Sequence, residues 1–271
     1  MKIIISHDVD HITVMEHWKD PIIPKFLIRS TIEFALGYVS FSEIISRLKN
    51  LLINKWNNIN ELMAFDRENN IPSTFFIGMS NGRGLSYTNK NAVFWLKRII
   101  ENGFDVGVHG IAFNDYGKVK REYNLFKEIS RLDKFGIRMH YLKYNDYTLS
   151  MLSKVGYIFD SSLYDLSDPF IIGDMWEFPL CIMDGYMFLR NSRWQNQTIE
   201  QVKKDTKMII DKAIAKNLKY FTVLFHDRYF SESFIIWRDW YIWLVNYLKN
   251  NGFEFISFMD AVKELRNEKQ L

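Results

Sequence analysis

The feature that most constrains this chain is the alternation, along nearly its whole length, of short apolar runs with segments of helical periodicity. Such alternation is the pattern of repeated β/α units around a largely parallel sheet or barrel, because parallel strands need a long crossover and are buried on both faces. The spacing predicts strands at 2–6, 73–77, 105–108, 137–141, 157–160, 177–182, 220–225 and 254–257. Helices are predicted at 91–101, ending in Asn102-Gly103, at 118–132, followed by Gly136, and at 198–216, where Thr198 can cap a first turn holding Glu200 and Gln201. Trp237, Trp240, Tyr241, Trp243, Leu244, Tyr247 and Leu248 recur at helical spacing and are read as core. With 271 residues, 48% of them hydrophobic, the chain can bury a large core and still be one α/β domain.

Charges of both signs are interspersed and the formal net charge is only +3, so nothing points to a polyanionic partner and nucleic acid is not expected. The single cysteine, Cys181, leaves no internal disulfide and no thiolate zinc site, so any metal must rest on His, Asp and water. Ile3, Ile4 and Ile5 are interrupted by Ser6-His7-Asp8 well before the apolar core of a signal peptide would be complete, and a cytoplasmic setting is expected. The stretch 21–53 is the most apolar, yet Lys25, Arg29, Glu33, Glu43, Arg47 and Lys49 break it at helical intervals. It reads as two amphipathic helices within a helical insertion at about 20–66, a flank or lid on the core, with a peripheral membrane contact as the alternative.

The informative polar residues stand where predicted strands end, the rim at which parallel α/β folds keep their chemistry. The first strand runs into Ser6-His7-Asp8-Val9-Asp10-His11, four ionisable groups in five positions. In an extended chain Asp8 and Asp10 point the same way and repel unless a cation or a shared proton intervenes. His109, Arg138, His140 and His226 follow at the ends of later strands, so five of the six histidines lie at predicted strand ends, and His17 is expected on a helix.

These segments resemble the motifs of the NodB-like polysaccharide deacetylases, carbohydrate esterase family 4, in the Asp-x-Asp variant. Asp8-Val9-Asp10 is similar to the first motif, 106–110 around His109 to the second, 136–141 around Arg138 to the third, and 223–226 to the fifth, and Gly156–Ser162 is similar to a segment common in Asp-x-Asp members. The resemblance implies a distorted (β/α) barrel with seven or eight mostly parallel strands. It implies Asp8 as catalytic base, Asp10 and His109 as ligands of one divalent metal, zinc being expected, Arg138 as the group that tunes Asp8, and His226 as general acid. The implied reaction is removal of an N-acetyl group from a sugar or glycan intermediate, with surface polysaccharide assembly as the setting.

Two departures stand out. Phe113 occupies the place of the second histidine that the family's second motif carries four residues after the first, which predicts weakened metal retention unless Asn114, Asp115, His11 or His140 supplies a ligand. His140 stands where the family often has proline, and with Tyr141 it is expected to contact substrate or pack. Three readings follow: an N-deacetylase, a hydrolase of a related amide or ester, or a glycan-binding or partner-binding pseudoenzyme.

Overall fold

The computed structural model describes residues 1–268. They form a single α/β domain around a curled sheet with the order β6-β7-β5-β4-β3-β2-β1-β9-β8. The strands are β1 (Lys2–Val9), β2 (Thr74–Ile77), β3 (Asp105–Gly110), β4 (Ile137–Met139), β5 (Phe159–Asp160), β6 (Phe170–Ile172), β7 (Met175–Glu177), β8 (Ile182–Met183), β9 (Tyr220–Leu224) and β10 (Glu254–Phe255). All pairings are parallel except β6 with β7, a hairpin whose turn holds Gly173 at φ +58°. The sheet thus has ten strands rather than seven or eight. The hairpin strand β6 was not foreseen, and the segment expected as one strand at 177–182 divides into β7 and β8 around Pro179, which has no N–H for a ladder.

The helices are α1 (Ile22–Ala35), α2 (Phe41–Leu52), α3 (Ile59–Glu68), α4 (Asn89–Glu101), α5 (Tyr116–Ser130), α6 (Thr148–Val155), α7 (Asp184–Leu189), α8 (Ile199–Ala215), α9 (Ile235–Asn250) and α10 (Phe258–Glu268). Thr198 and Gln201 form a capping box at α8, satisfying two backbone N–H groups that the helix itself leaves open. In α9, Trp237, Trp240, Tyr241, Leu244 and Leu248 are fully buried, as core positions should be. Helices α1 to α3 separate β1 from β2. Among the described residues no helix is long and apolar enough to cross a membrane.

β1 lies inside the sheet, bonded to β9 on one edge and to β2 and β10 on the other, and its side chains alternate between two cores. Ile3, Ile5 and Val9 join the larger one, whereas Ile4 joins Phe76, Phe159, Phe178 and Phe258 in a smaller cluster closed by α10. Period two carries Ser6, Asp8 and Asp10 onto the face of Ile4, above that smaller cluster. Packing there is close: a Cβ at Gly136 would lie 2.3 Å from the Phe159 ring, so only glycine fits.

Candidate active site

The alternation that brings Asp8 and Asp10 together sends His7 to the other face, where its ring bridges the Phe225 carbonyl and Asp66, each at 2.8 Å. His7 is fully buried and takes no part in the rim cluster that the sequence suggested for it.

Asp10, His109 and His140 meet in a near-equilateral triangle. His109 Nε2 lies 3.1 Å from Asp10 Oδ1 and 2.9 Å from His140 Nδ1, and His140 Nδ1 lies 3.2 Å from the same Asp10 oxygen. The other nitrogen of each ring is already committed: His109 Nδ1 donates to the Arg138 carbonyl at 3.1 Å and His140 Nε2 to the Arg83 carbonyl at 3.0 Å. A carbonyl can only accept, so the ring protons reside there, and two imidazole lone pairs are left facing a carboxylate oxygen. Three acceptors converge with no donor among them. A proton on His140 Nδ1 would relieve one side of the triangle, while a metal ion relieves all three. Nitrogen and oxygen ligands about 2.0–2.2 Å from zinc stand roughly 3.0–3.5 Å apart, so the spacing and the donor set both fit a divalent ion.

His140 reaches this place because β4 stops at Met139 and the chain turns sharply, Tyr141 and Leu142 adopting φ +57° and +50°. Left-handed backbone at bulky residues costs on the order of 1–3 kcal/mol each and persists only where neighbours enforce it. Tyr141 is more than half exposed on the cleft wall, its ring tilted 41° to that of His140 with centroids 4.0 Å apart.

Phe113 lies outside this arrangement. It precedes α5, whose N-cap is Asp115, with Oδ1 accepting from Lys118 N at 3.0 Å, and it lines a different cavity together with Asn114 and Lys118. Position 113 thus lies before α5 and away from His109's ring nitrogens, and neither Asn114 nor Asp115 belongs to the cluster of Asp10, His109 and His140.

Asp8 stands beside the triangle, Oδ2 3.8 Å from His109 Nε2. Its Oδ1 accepts from Arg138 Nη1 at 3.0 Å, and the same nitrogen donates to Ser6 Oγ at 2.8 Å. Arg138 is itself fixed by Ser161, whose carbonyl accepts from Nε and whose Oγ accepts from Nη2, both at 2.9 Å, and its guanidinium lies 4.5 Å over the Phe76 ring. Behind it, burial pushes Asp160 and Glu177 up, Glu177 well above the carboxylate range, and Glu177 Oε2 has no bond from a fixed donor, so this pair holds a proton. The 156–162 segment thus acts as the scaffold of Arg138.

Across the cleft, His226 Nδ1 donates to Asp184 Oδ1 at 2.8 Å while its Nε2 lies 3.7 Å from Asp10 Oδ2. Burial alone would lower the His226 pKa, but the carboxylates of Asp184, Asp10 and Asp8 outweigh it and hold the ring well above the usual imidazole range. Asp184 was not singled out from sequence, although it directly follows β8 and so obeys the same strand-end rule. The walls, which include Tyr186, Arg228 and Tyr229, enclose a cleft of about 230 Å³.

No family profile matches this sequence, and no curated protein sequence does. Among solved structures the chain is similar to a protein assigned as a polysaccharide deacetylase from Mycobacterium smegmatis, with 14% identity, TM-score 0.64, and 99% of this chain and 91% of that one covered. It is also similar to one so assigned from Pseudomonas aeruginosa, with 11% identity, TM-score 0.61, and 98% and 90% covered. The PuuE allantoinase matches with 10% identity, TM-score 0.59, and 97% and 88% covered. The chain has the NodB-like deacetylase fold that its motifs suggested.

Proposed function

We propose that this chain is a metal-dependent hydrolase that removes the N-acetyl group from a sugar or glycan intermediate, of the kind used in surface polysaccharide assembly. The observation that carries the reading is the convergence of three potential ligand atoms on Asp10, His109 and His140, with a clamped carboxylate, Asp8, on one side and an Asp-held imidazole, His226, on the other. His140 is the third protein ligand in this reading, in the role left open by Phe113. A bound divalent ion such as zinc would supply a Lewis acid for the amide carbonyl and for water.

The remaining steps belong to the chain's own groups. Arg138 holds Asp8 in place through the Nη1–Oδ1 contact, and Asp8 takes the proton from the attacking water. His226, fixed through Nδ1 by Asp184, gives its Nε2 proton to the departing amine, and the products are acetate and the free amino sugar. The same constellation could open a related amide, and the fold likeness to an allantoinase favours that as the second reading. A purely binding role has no need of base, arginine clamp and acid together.

The test pairs metal content by mass spectrometry with acetate release from N-acetylated sugar nucleotides and lipid-linked sugars. Asp8→Asn should abolish turnover and keep the metal; His140→Ala should lose both. A full equivalent of metal in His140→Ala would remove it as a ligand, and a metal-free, inactive wild type would leave the binding-module reading.

A further inference from the structure

Half of the exposed large hydrophobic side chains among the described residues lie between residues 15 and 53, on α1, α2 and the short segments that flank them. Helix α2 is built inside out. Phe41, Ile45, Leu48 and Leu52 recur on one stripe and face solvent, Phe41 at 66% and Leu52 at 88% exposure. Its inward face is polar: Glu43 accepts from Ile235 N at 3.1 Å, Asn50 donates to Ser233 Oγ at 2.8 Å, and the buried Arg47 donates to Glu33 at 2.7 Å and to the Ser233 carbonyl at 2.9 Å. A surface helix ordinarily does the reverse, so the outward stripe calls for an apolar partner. Helix α1 extends it with Leu27, Ile28 and Phe34, the last with its ring 6.4 Å from that of Phe41.

The charges select the partner. Every acidic residue between 15 and 53 is turned inward or tied: Glu33 to Arg29 and Arg47, Glu43 in the α2 capping box, Glu16 to Ile12 N, and Asp20 to His17. The exposed charged side chains of the segment are Lys19, Lys25 and Lys49, with Lys19 lying 5.2 Å over the exposed ring of Trp18. We infer that the α1–α2 hairpin is a docking surface for an anionic membrane. A second copy of the chain would fit poorly, because a self-complementary contact would set lysines against lysines. A bilayer of acidic lipids answers both the apolar stripe and the cationic rim, with indole and ammonium at headgroup depth.

The hairpin adjoins the cleft through Arg228, a wall residue of the cleft whose guanidinium lies 4.8 Å from the ring of Phe26 on α1. The inference does not depend on the hydrolase reading, since its readout is binding.

The experiment is flotation of the full chain with phosphatidylglycerol-containing vesicles and with neutral phosphatidylcholine vesicles. Binding should favour the anionic vesicles and fall with salt. Neutralising Lys19, Lys25 and Lys49 to Gln should weaken it about a hundredfold, at roughly fivefold per lysine. Phe41→Ser with Leu52→Ser should abolish it while circular dichroism and Tm stay unchanged, because both side chains are solvent-facing. Wild type that floats with neither vesicle overturns the inference. So does a concentration-dependent dimer that the serine variant converts to monomer, which would assign the stripe to a second copy.

Discussion

Two clusters of histidine and carboxylate stand side by side at the head of β1, and they resolve the same chemical conflict in opposite ways. In the triangle of Asp10, His109 and His140, both distal ring nitrogens face backbone carbonyls, so the ring protons are spent there and the lone pairs converge. In the cluster of His11, Glu16 and His17, His17 Nδ1 donates to Asp20 Oδ2 at 2.8 Å, which leaves Nε2 as an acceptor 2.8 Å from His11 Nδ1. His11 can place its own proton on Nδ1 and close the chain as an ordinary relay. Glu16 meanwhile accepts from Ile12 N and Thr13 Oγ1. Proximity of ligand atoms is therefore the weaker criterion for a metal site. The stronger one is a count of lone pairs against the protons available to meet them.

The largest expected effect breaks the comparison outright if it fails. His109→Ala should empty the protein of metal altogether, as read by mass spectrometry after dialysis, because the His11 cluster offers no competing site. Retention of one equivalent would show that the second cluster binds an ion too. A smaller effect belongs to His17→Ala, which removes a fully buried ring and takes away the partner of His11 Nδ1, while Asp20 keeps Ile22 N and Ser86 Oγ. It should cost about 1–3 kcal/mol in denaturant unfolding yet leave the metal stoichiometry as it was. Loss of metal in that variant would mean the clusters are coupled.

The smallest effect concerns a third way of handling excess lone pairs. Asp227 is buried with Oδ1 unpaired, and burial pushes its carboxyl up to about 8, so it keeps its proton. Between the unfolded value near ~3.9 and about 8 the folded protein holds a proton that the unfolded chain has lost. This group's contribution to stability thus falls as pH rises through that window and is level above it. Asp227→Asn should flatten the profile of Tm against pH, and an unchanged slope would place the titration elsewhere.

Much of this was legible before any coordinates. Strand-end position found Asp8, Asp10, His109, Arg138 and His226, because parallel strands must deliver their ends to one rim, and period two put both aspartates on one face. The same rule misled at His7, where alternation that pairs Asp8 with Asp10 necessarily turns the neighbour away. It left His140 open between substrate contact, packing and a replacement ligand, since the ring sits at Asp10 and His109 beside a left-handed turn at Tyr141 and Leu142, and nothing local in Tyr-Leu announces positive φ. Phe113 stood out through the motif's four-residue spacing from His109, yet it lies before α5, which begins at Tyr116, and lines a different cavity. The inverted polarity of α2 could not be seen from periodicity, which gives the stripe without saying which side faces in.

The place of β1 in the sheet has a kinetic consequence. The strand that carries Asp8 and leads into Asp10 takes two of its three neighbours, β9 and β10, from the far end of the chain, and Ser6 Oγ donates to the Val223 carbonyl across 217 positions. Closing so long a loop before any ladder bond repays it makes this pairing slow. Until it forms, β1 presents an unpaired edge flanked by Ile3, Ile4 and Ile5, the kind of surface through which partly folded chains associate. The ligand triangle needs only residues 10, 109 and 140, whereas His226 and the β9 edge arrive together. The proposed acid of the site and the seal on its most adhesive strand are thus delivered by one late folding event.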